Sequence, residues 1–284
     1  MWRLPDTFKI AIAQMAHDWS RHGAAQEALA KAKEWIKQAS REKARTIMFS
    51  EYFLGDVPVA PLPNEAIKEI QGQARRSRIC VVCGVTRNRV QEKPRMQFLT
   101  SMVIGNRGEV IGKVDKAHYY PSERPWFDHA PPCGPVELCG ARVGILAGYD
   151  AAVPELARDL VEGGAEVLLM QLSPFSPEER LAMQSLAIAR AFENTVPVAT
   201  VGLVGEFMRR QGTGGSIAVA PRTQRFGVTE SSDGVDVLLR MDDEEALAFV
   251  EFDMRALRAV RKRFSVRSQP PRAGDERPDA ACPQ

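Results

Sequence analysis

Val143-Gly144-Ile145-Leu146-Ala147-Gly148-Tyr149-Asp150, followed by Ala151-Ala152-Val153-Pro154-Glu155-Leu156-Ala157-Arg158 and closed by Gly163-Gly164-Ala165-Glu166-Val167-Leu168-Leu169-Met170, decides the fold. A short apolar run, a sharp break, a segment with apolar positions at Leu156, Ala157, Leu160 and Val161, a glycine pair and a second apolar run read as strand, turn, helix, strand. The unit is βαβ-like, with a tight elbow where its first strand ends. Such an elbow is where α/β enzymes often present a nucleophile, because the turn lifts one side chain out of the sheet into a cleft. The elbow position here is Gly148, and glycine presents nothing.

These surroundings resemble the nitrilase superfamily, the carbon–nitrogen hydrolases that carry a Cys between an apolar strand and Tyr-Asp, with Pro-Glu and a small-residue helix following. Gly148-Tyr149-Asp150, Pro154-Glu155-Leu156-Ala157-Arg158 and Gly164-Ala165 match that pattern, with Gly148 in the nucleophile's place. The resemblance implies an αββα sandwich, with strands in two layers covered by helices, paired into a homodimer or larger homo-oligomer.

The totals are compatible. A chain of 284 residues with 44% hydrophobic content buries a large core, and one α/β domain is favoured over two small ones. Lys and Arg total 38 against 36 for Asp and Glu, so no overall field invites nucleic acid or a membrane surface. The odd count of five Cys and the absence of an apolar secretory segment at the start point to a reducing, cytoplasmic setting. No apolar run approaches the roughly 20 residues of a membrane-spanning helix.

Phe8 to Gln14 alternates as a strand, and Ala25, Ala28, Leu29, Ala32, Trp35, Ile36 and Ala39 recur at helical spacing. Thr46 to Ser50 is a short buried strand that places Glu51 at its C-terminal end, where ligand groups of α/β sheets cluster. From local sequence alone, a solvated strand-end carboxylate is an equal reading. A helix from Asn64 to Ser77 and a strand from Arg78 to Val85 follow. Cys80 and Cys83, three apart in that strand, point to opposite faces and read as two buried structural thiols rather than a metal or redox pair. Phe98 to Ile104 and Val110 to Val114 form a hairpin through Gly105-Asn106-Arg107-Gly108.

Lys113 to Phe127 is a polar loop ending in aromatics. Within it Lys116 and Glu123 flank a turn containing Pro121, so both can aim at one cavity. Ser173 to Pro177 is a loop, with Pro177 opening a helix that continues to Asn194. Val196 to Gly202 is a strand. Gly212-Thr213-Gly214-Gly215-Ser216 lacks the ending of a phosphate loop and leads into the strand Ile217 to Pro221. Val235 to Leu239 and Ala246 to Asp253 are the last strands and Met254 to Arg263 the last helix. One domain over 1–264 is expected, with the Pro- and charge-rich 265–284 a tail, extended on a neighbouring surface or mobile.

The resemblance also assigns roles. Glu51 matches the family's general base, Lys116 the oxyanion-stabilising amine, and Glu123 the second acid that orients Lys116 and substrate. The backbone N–H of Tyr149 would serve the oxyanion, and Tyr52, Tyr149 and Trp126 would shape the walls. His118 reads as a structural hydrogen-bonder, and His17, His22 and His129 have no ligand-like spacing. Ala189 to Asn194 resembles the family's Arg-Ala-x-Glu-Asn helix end. Ala152 stands near a position where many relatives carry Arg, which leaves the substrate class open. No metal or organic cofactor is implied, and small amides are favoured over nitriles.

In this family a thiolate attacks carbon, a Glu moves the proton to the leaving nitrogen, and a Lys with a backbone N–H holds the oxyanion. Cys133 and Cys139 precede the elbow strand and are poorly placed to substitute. Three readings remain: a natural relative that lost the Cys and kept the pocket for binding or regulation; an amidase altered at one position; or a non-covalent acid–base enzyme in which Glu51 activates water. Outside catalysis stands an assembly protein that uses the sandwich as a platform.

Overall fold

The computed structural model describes residues 6–18, 23–54, 65–89, 96–207, 209–222 and 235–264. The expected tail at 265–284, and His22, lie outside these residues. The first half of the chain runs β1 (Thr7–Gln14), β2 (Ala16–Asp18), α1 (Ala24–Arg41), β3 (Thr46–Phe49), α2 (Glu65–Ser77), β4 (Cys80–Arg89), β5 (Met96–Ile104) and β6 (Val110–Asp115). Then follow β7 (Val136–Leu138), β8 (Ala141–Ala147), a 3-10 turn (Gly148–Ala152), α3 (Pro154–Glu162), β9 (Val167–Leu172) and α4 (Pro177–Asn194). The last elements are β10 (Val198–Gly202), β11 (Val204–Phe207), β12 (Arg210–Thr213), β13 (Ile217–Pro221), β14 (Val235–Arg240), β15 (Ala246–Asp253) and α5 (Met254–Phe264).

Two six-stranded sheets, ordered β15-β1-β3-β4-β5-β6 and β14-β13-β10-β9-β8-β7, form the centre. Between them lie Ile10, Ile12, Met48 and Val82 from the first sheet and Val143, Ile145, Leu169 and Val201 from the second. The outer face of the first sheet packs on α1 and α2 through Ala32, Ile36, Ile67 and Ile70. The outer face of the second packs on α3 and α4 through Leu156, Leu160, Met183 and Ala187. Layers of helix, sheet, sheet and helix follow, because central strands such as β3, β9 and β10 are buried on both faces and each packed helix is apolar on one. The expected αββα sandwich is the observed one.

The βαβ unit is observed as read: β8 and β9 are parallel, with Ala147 beside Gln171, and Leu156, Ala157, Leu160 and Val161 form the buried stripe of α3. Pro177 opens α4 behind an Ser176 cap whose hydroxyl accepts from the Glu179 N–H. A three-stranded sheet of β12, β11 and β2 was not foreseen. Its strands are short and polar, so no clean period of two marks them.

Strand direction positions the site. β3 and β4 are parallel, and β6 is antiparallel to β5, itself antiparallel to β4, so β6 ends at the same edge as β3. Two buried polar side chains bolt the sheets together near that edge. Gln171 of β9 donates to the Phe49 carbonyl of β3 at 2.6 Å and accepts from the Ser101 hydroxyl of β5. Gln14 of β1 accepts from the Ser216 N–H and hydroxyl at 3.0 and 2.6 Å.

One expectation is corrected. Cys83 is a buried thiol, pushed up to about 12 by burial, whereas Cys80 is in a disulfide with Cys139. The inward face of β4 meets the β7–β8 hairpin of the other sheet there, an encounter 59 residues away in sequence and invisible to local spacing. The bond sits at the edge opposite Glu51, since Cys80 pairs with Thr46 at the start of β3. No helix among the described residues is long and apolar enough to cross a membrane.

Candidate active site

Glu51 follows β3, Lys116 follows β6 and Gly148 follows β8, and the three meet. Lys116 Nζ donates to Glu51 Oε1 at 2.7 Å and to both oxygens of Glu123, Oε1 at 2.9 Å and Oε2 at 2.8 Å. The ammonium has three N–H groups, so each has a carboxylate partner, and Lys116 can turn toward an oxyanion only by releasing one of them. Lys116 is 0% exposed and Glu51 2% exposed. Glu123 is anchored from its other side: Oε1 accepts from the Tyr52 hydroxyl at 2.8 Å, and Oε2 from the Tyr120 N–H at 2.9 Å.

Gly148 occupies the left-handed region at φ +49°. A Cβ there would lie 2.5 Å from Glu51 Oε1, and inside contact distance of Lys116 Nζ. The ion pair therefore fills the volume that a side chain at the elbow would enter. Both obstructing atoms terminate flexible side chains, so the obstruction can move.

Two carboxylates share one ammonium, which leaves one negative charge in excess. Burial raises Glu51, Lys116 pulls it back down less strongly, and Glu123 raises it further, so its carboxyl titrates at about 7. Burial alone would press Lys116 down; the two carboxylates overcome this and hold it above its ordinary value. A buried base that titrates near neutrality suits proton transfer at working pH.

The loop behind Lys116 is pinned by the elbow. Asp150, 4% exposed, accepts from the N–H groups of Ala117 and His118 at 3.2 and 2.7 Å. His118 Nδ1 lies 3.1 Å from the same carboxylate. The structure thus places His118 away from the carboxylate–ammonium cluster, on Asp150, and His129 Nδ1 3.0 Å from the Ala117 carbonyl. Spacing marked Asp150 only as part of a motif; that it fixes the Lys116 loop required the tertiary fold.

A cavity of about 410 Å³ opens onto the cluster, with Glu51 and Glu123 on its floor. Its walls are Tyr52, Tyr120, Trp126, Phe127, Phe175 and Phe207, with Tyr52 stacked on Phe207 at 4.6 Å. Trp126, 70% exposed, stands at the mouth. There Arg210 stacks on Phe175 at 4.1 Å and pairs with Glu179 at 3.3 Å. Of the wall residues read from the sequence, Tyr52 and Trp126 border the cavity; Tyr149 packs edge-on against Tyr120 at 4.7 Å, and Tyr120 borders the cavity in its place. Phe175, Phe207 and Ser173 also border it without having been singled out, because Ser173 and Phe175 lie in a loop and Phe207 ends the short strand β11, and neither carries a periodic signal. Among the described residues, no group of three His, Cys, Asp or Glu is arranged to hold a metal.

Two stacked sheets under helices, with a buried carboxylate–ammonium pair at the shared strand ends, define a hydrolase sandwich of the nitrilase type. The chain belongs to the carbon–nitrogen hydrolase family, whose profile matches residues 9–261. It is 30% identical over 222 residues to an (R)-stereoselective amidase of a Pseudomonas species, covering 75% of this chain and 73% of that one. It is 23% identical to the human deaminated glutathione amidase, covering 89% and 74%. Among solved structures, a carbon–nitrogen hydrolase from Helicobacter pylori G27 superposes with a TM-score of 0.77 at 17% identity, covering 91% and 93%. A mutant of the Nesterenkonia AN1 amidase from the nitrilase superfamily gives 0.72 at 23% identity, covering 92% and 97%.

Proposed function

We propose that this chain is an amidase-type scaffold that binds a small amide and, with Gly148 at the elbow, lacks the attacking atom of its family's thioester mechanism. One observation carries the reading: Glu51 and Lys116 converge on the Cα of Gly148, so a Cβ added there would touch both. With a thiol at that point, Glu51 would take its proton and pass it to the leaving nitrogen. Lys116 and the Tyr149 N–H would hold the oxyanion, and Glu123 would hold Lys116. Without it the covalent route loses several powers of ten in rate. An amide is supported by the amidases among the relatives, and the nitrilases among them are the reason nitriles belong in the test.

The test is Gly148→Cys, offered a panel of small amides and nitriles. The expected result is an acyl adduct on Cys at 148 in intact-protein mass spectra and product release, both abolished by adding Glu51→Gln. No adduct and no product across the panel would overturn the reading.

A second reading, in which Glu51 activates a water without a covalent intermediate, is favoured by its carboxyl titrating at about 7. Slow amide hydrolysis by the parent chain, lost in Glu51→Gln, would distinguish it. Pairing of copies across helices is supported by Leu181 and Phe192, exposed on α4 and about three turns apart; sedimentation reads the stoichiometry. A cytoplasmic placement carries a condition, because a reducing compartment would open the Cys80–Cys139 bond.

A further inference from the structure

The cavity holds one polar group that the fold leaves unused. Ser173, the first residue past β9, is 7% exposed, and its buried hydroxyl has no hydrogen-bond partner among the described residues. Thr46, Ser50 and Asn194 also carry a buried oxygen without such a partner, but of these residues only Ser173 borders the cavity. It does so beside Glu51. Its hydroxyl is near enough to that carboxylate to favour the ionised form, while no described residue supplies a donor to its oxygen.

A hydroxyl withdrawn from water and given nothing in return destabilises a fold. A ligand that supplies the missing partner recovers that loss on binding. β9 lies beside β8, with Ala147 level with Gln171, so Ser173 leaves its strand next to the elbow that carries Gly148. Ser173 and Glu51 border the same cavity, and most of its other walls are aromatic.

We infer that Ser173 is the specificity-determining group for the ligand's carboxamide, its Oγ accepting from the carboxamide N–H while its own O–H turns to Glu51. The ligand class is a carboxamide with an apolar or aryl body that fits the aromatic walls. The inference rests on the amide-binding reading above. A hydroxyl serves as donor and acceptor at once, which suits a position between an acceptor-only carboxylate and an N–H donor. An ester of the same shape offers no N–H and gains nothing there.

The test measures binding of phenylacetamide and methyl phenylacetate to the parent chain, Ser173→Ala and Ser173→Thr by calorimetry, with a melting curve for each. Ser173→Ala is expected to weaken phenylacetamide by about tenfold, the worth of one hydrogen bond, and to leave the ester unchanged. Ser173→Thr, which keeps the hydroxyl, retains the preference for amide. The melting temperature of Ser173→Ala should match or exceed that of the parent. Equal affinities in parent and Ser173→Ala, equal losses for amide and ester, or a lowered melting temperature would each overturn the assignment alone. A parent chain that binds neither probe would overturn the amide reading and this assignment together.

Discussion

Gly148 and Lys116 share one volume: the space that a Cβ on Gly148 would enter is held by the Lys116 ammonium, with the Glu51 carboxylate beside it. Base and amine therefore bond to one another at 2.7 Å rather than flanking a third group. A side chain at 148 must part them.

Gly148→Ala is expected to destabilise the chain by about 2–4 kcal/mol, from a left-handed backbone that disfavours a Cβ and from crowding against the pair. Urea unfolding of the variant checks this, and a change below measurement error would show that the pair yields freely.

Lys116→Met removes the ammonium that Glu51 and Glu123 share. Breaking a buried ion pair from one side is expected to cost about 3–5 kcal/mol, read from the same unfolding curves. A neutral effect would mean that the carboxylates reach water when the amine is gone.

Stability should fall as pH rises across the range in which Glu51 titrates. Its carboxyl is raised from 4.5 to about 7 in the folded chain, so the folded state holds the proton more tightly than the unfolded one. That contribution is full below the unfolded value and is withdrawn as pH climbs through about 7. Lys116, raised above an ordinary value of 10.5, stays charged throughout this window and adds no slope. The urea midpoint of the parent between pH 5 and pH 8 should therefore fall more than that of Glu51→Gln; parallel profiles would contradict the shift.

Asp150→Asn keeps one oxygen for the N–H groups of Ala117 and His118 but turns an amide toward them. A loss of about 1–3 kcal/mol is expected, with faster hydrogen exchange at Ala117 and His118. Unchanged exchange there would show that the Lys116 loop is held by other contacts.

Replacing both Cys80 and Cys139 by Ser frees a loop of 59 residues in the unfolded chain. The expected destabilisation is about 4 kcal/mol, read from the melting curve of the variant beside that of the parent. An insensitive melting curve would argue that the bond does not form in solution.

Much of the sandwich could be read before any coordinates. Pro177 to Asn194 and the buried stripe of α3 follow from apolar spacing and helix-start chemistry, both local. The β2, β11 and β12 strands escaped because they take their pairing from the fold rather than from a period of their own. Glu51 and Lys116 were legible as strand-end and loop residues of a known order, whereas Ser173 and Tyr120 had no motif to mark them.

Sequence by itself determined which segments are strands and helices, that they bury into one layered core, and that the elbow carries glycine. Those properties depend on residues a few positions apart. Tertiary structure alone decided that Lys116, 65 residues from Glu51, fills the space in front of Gly148, that Gln171 bolts the sheets beneath them, and that Cys80 finds Cys139. Such contacts depend on strand direction, register and the stacking of two sheets, and the energy of each exists only when distant segments are brought together.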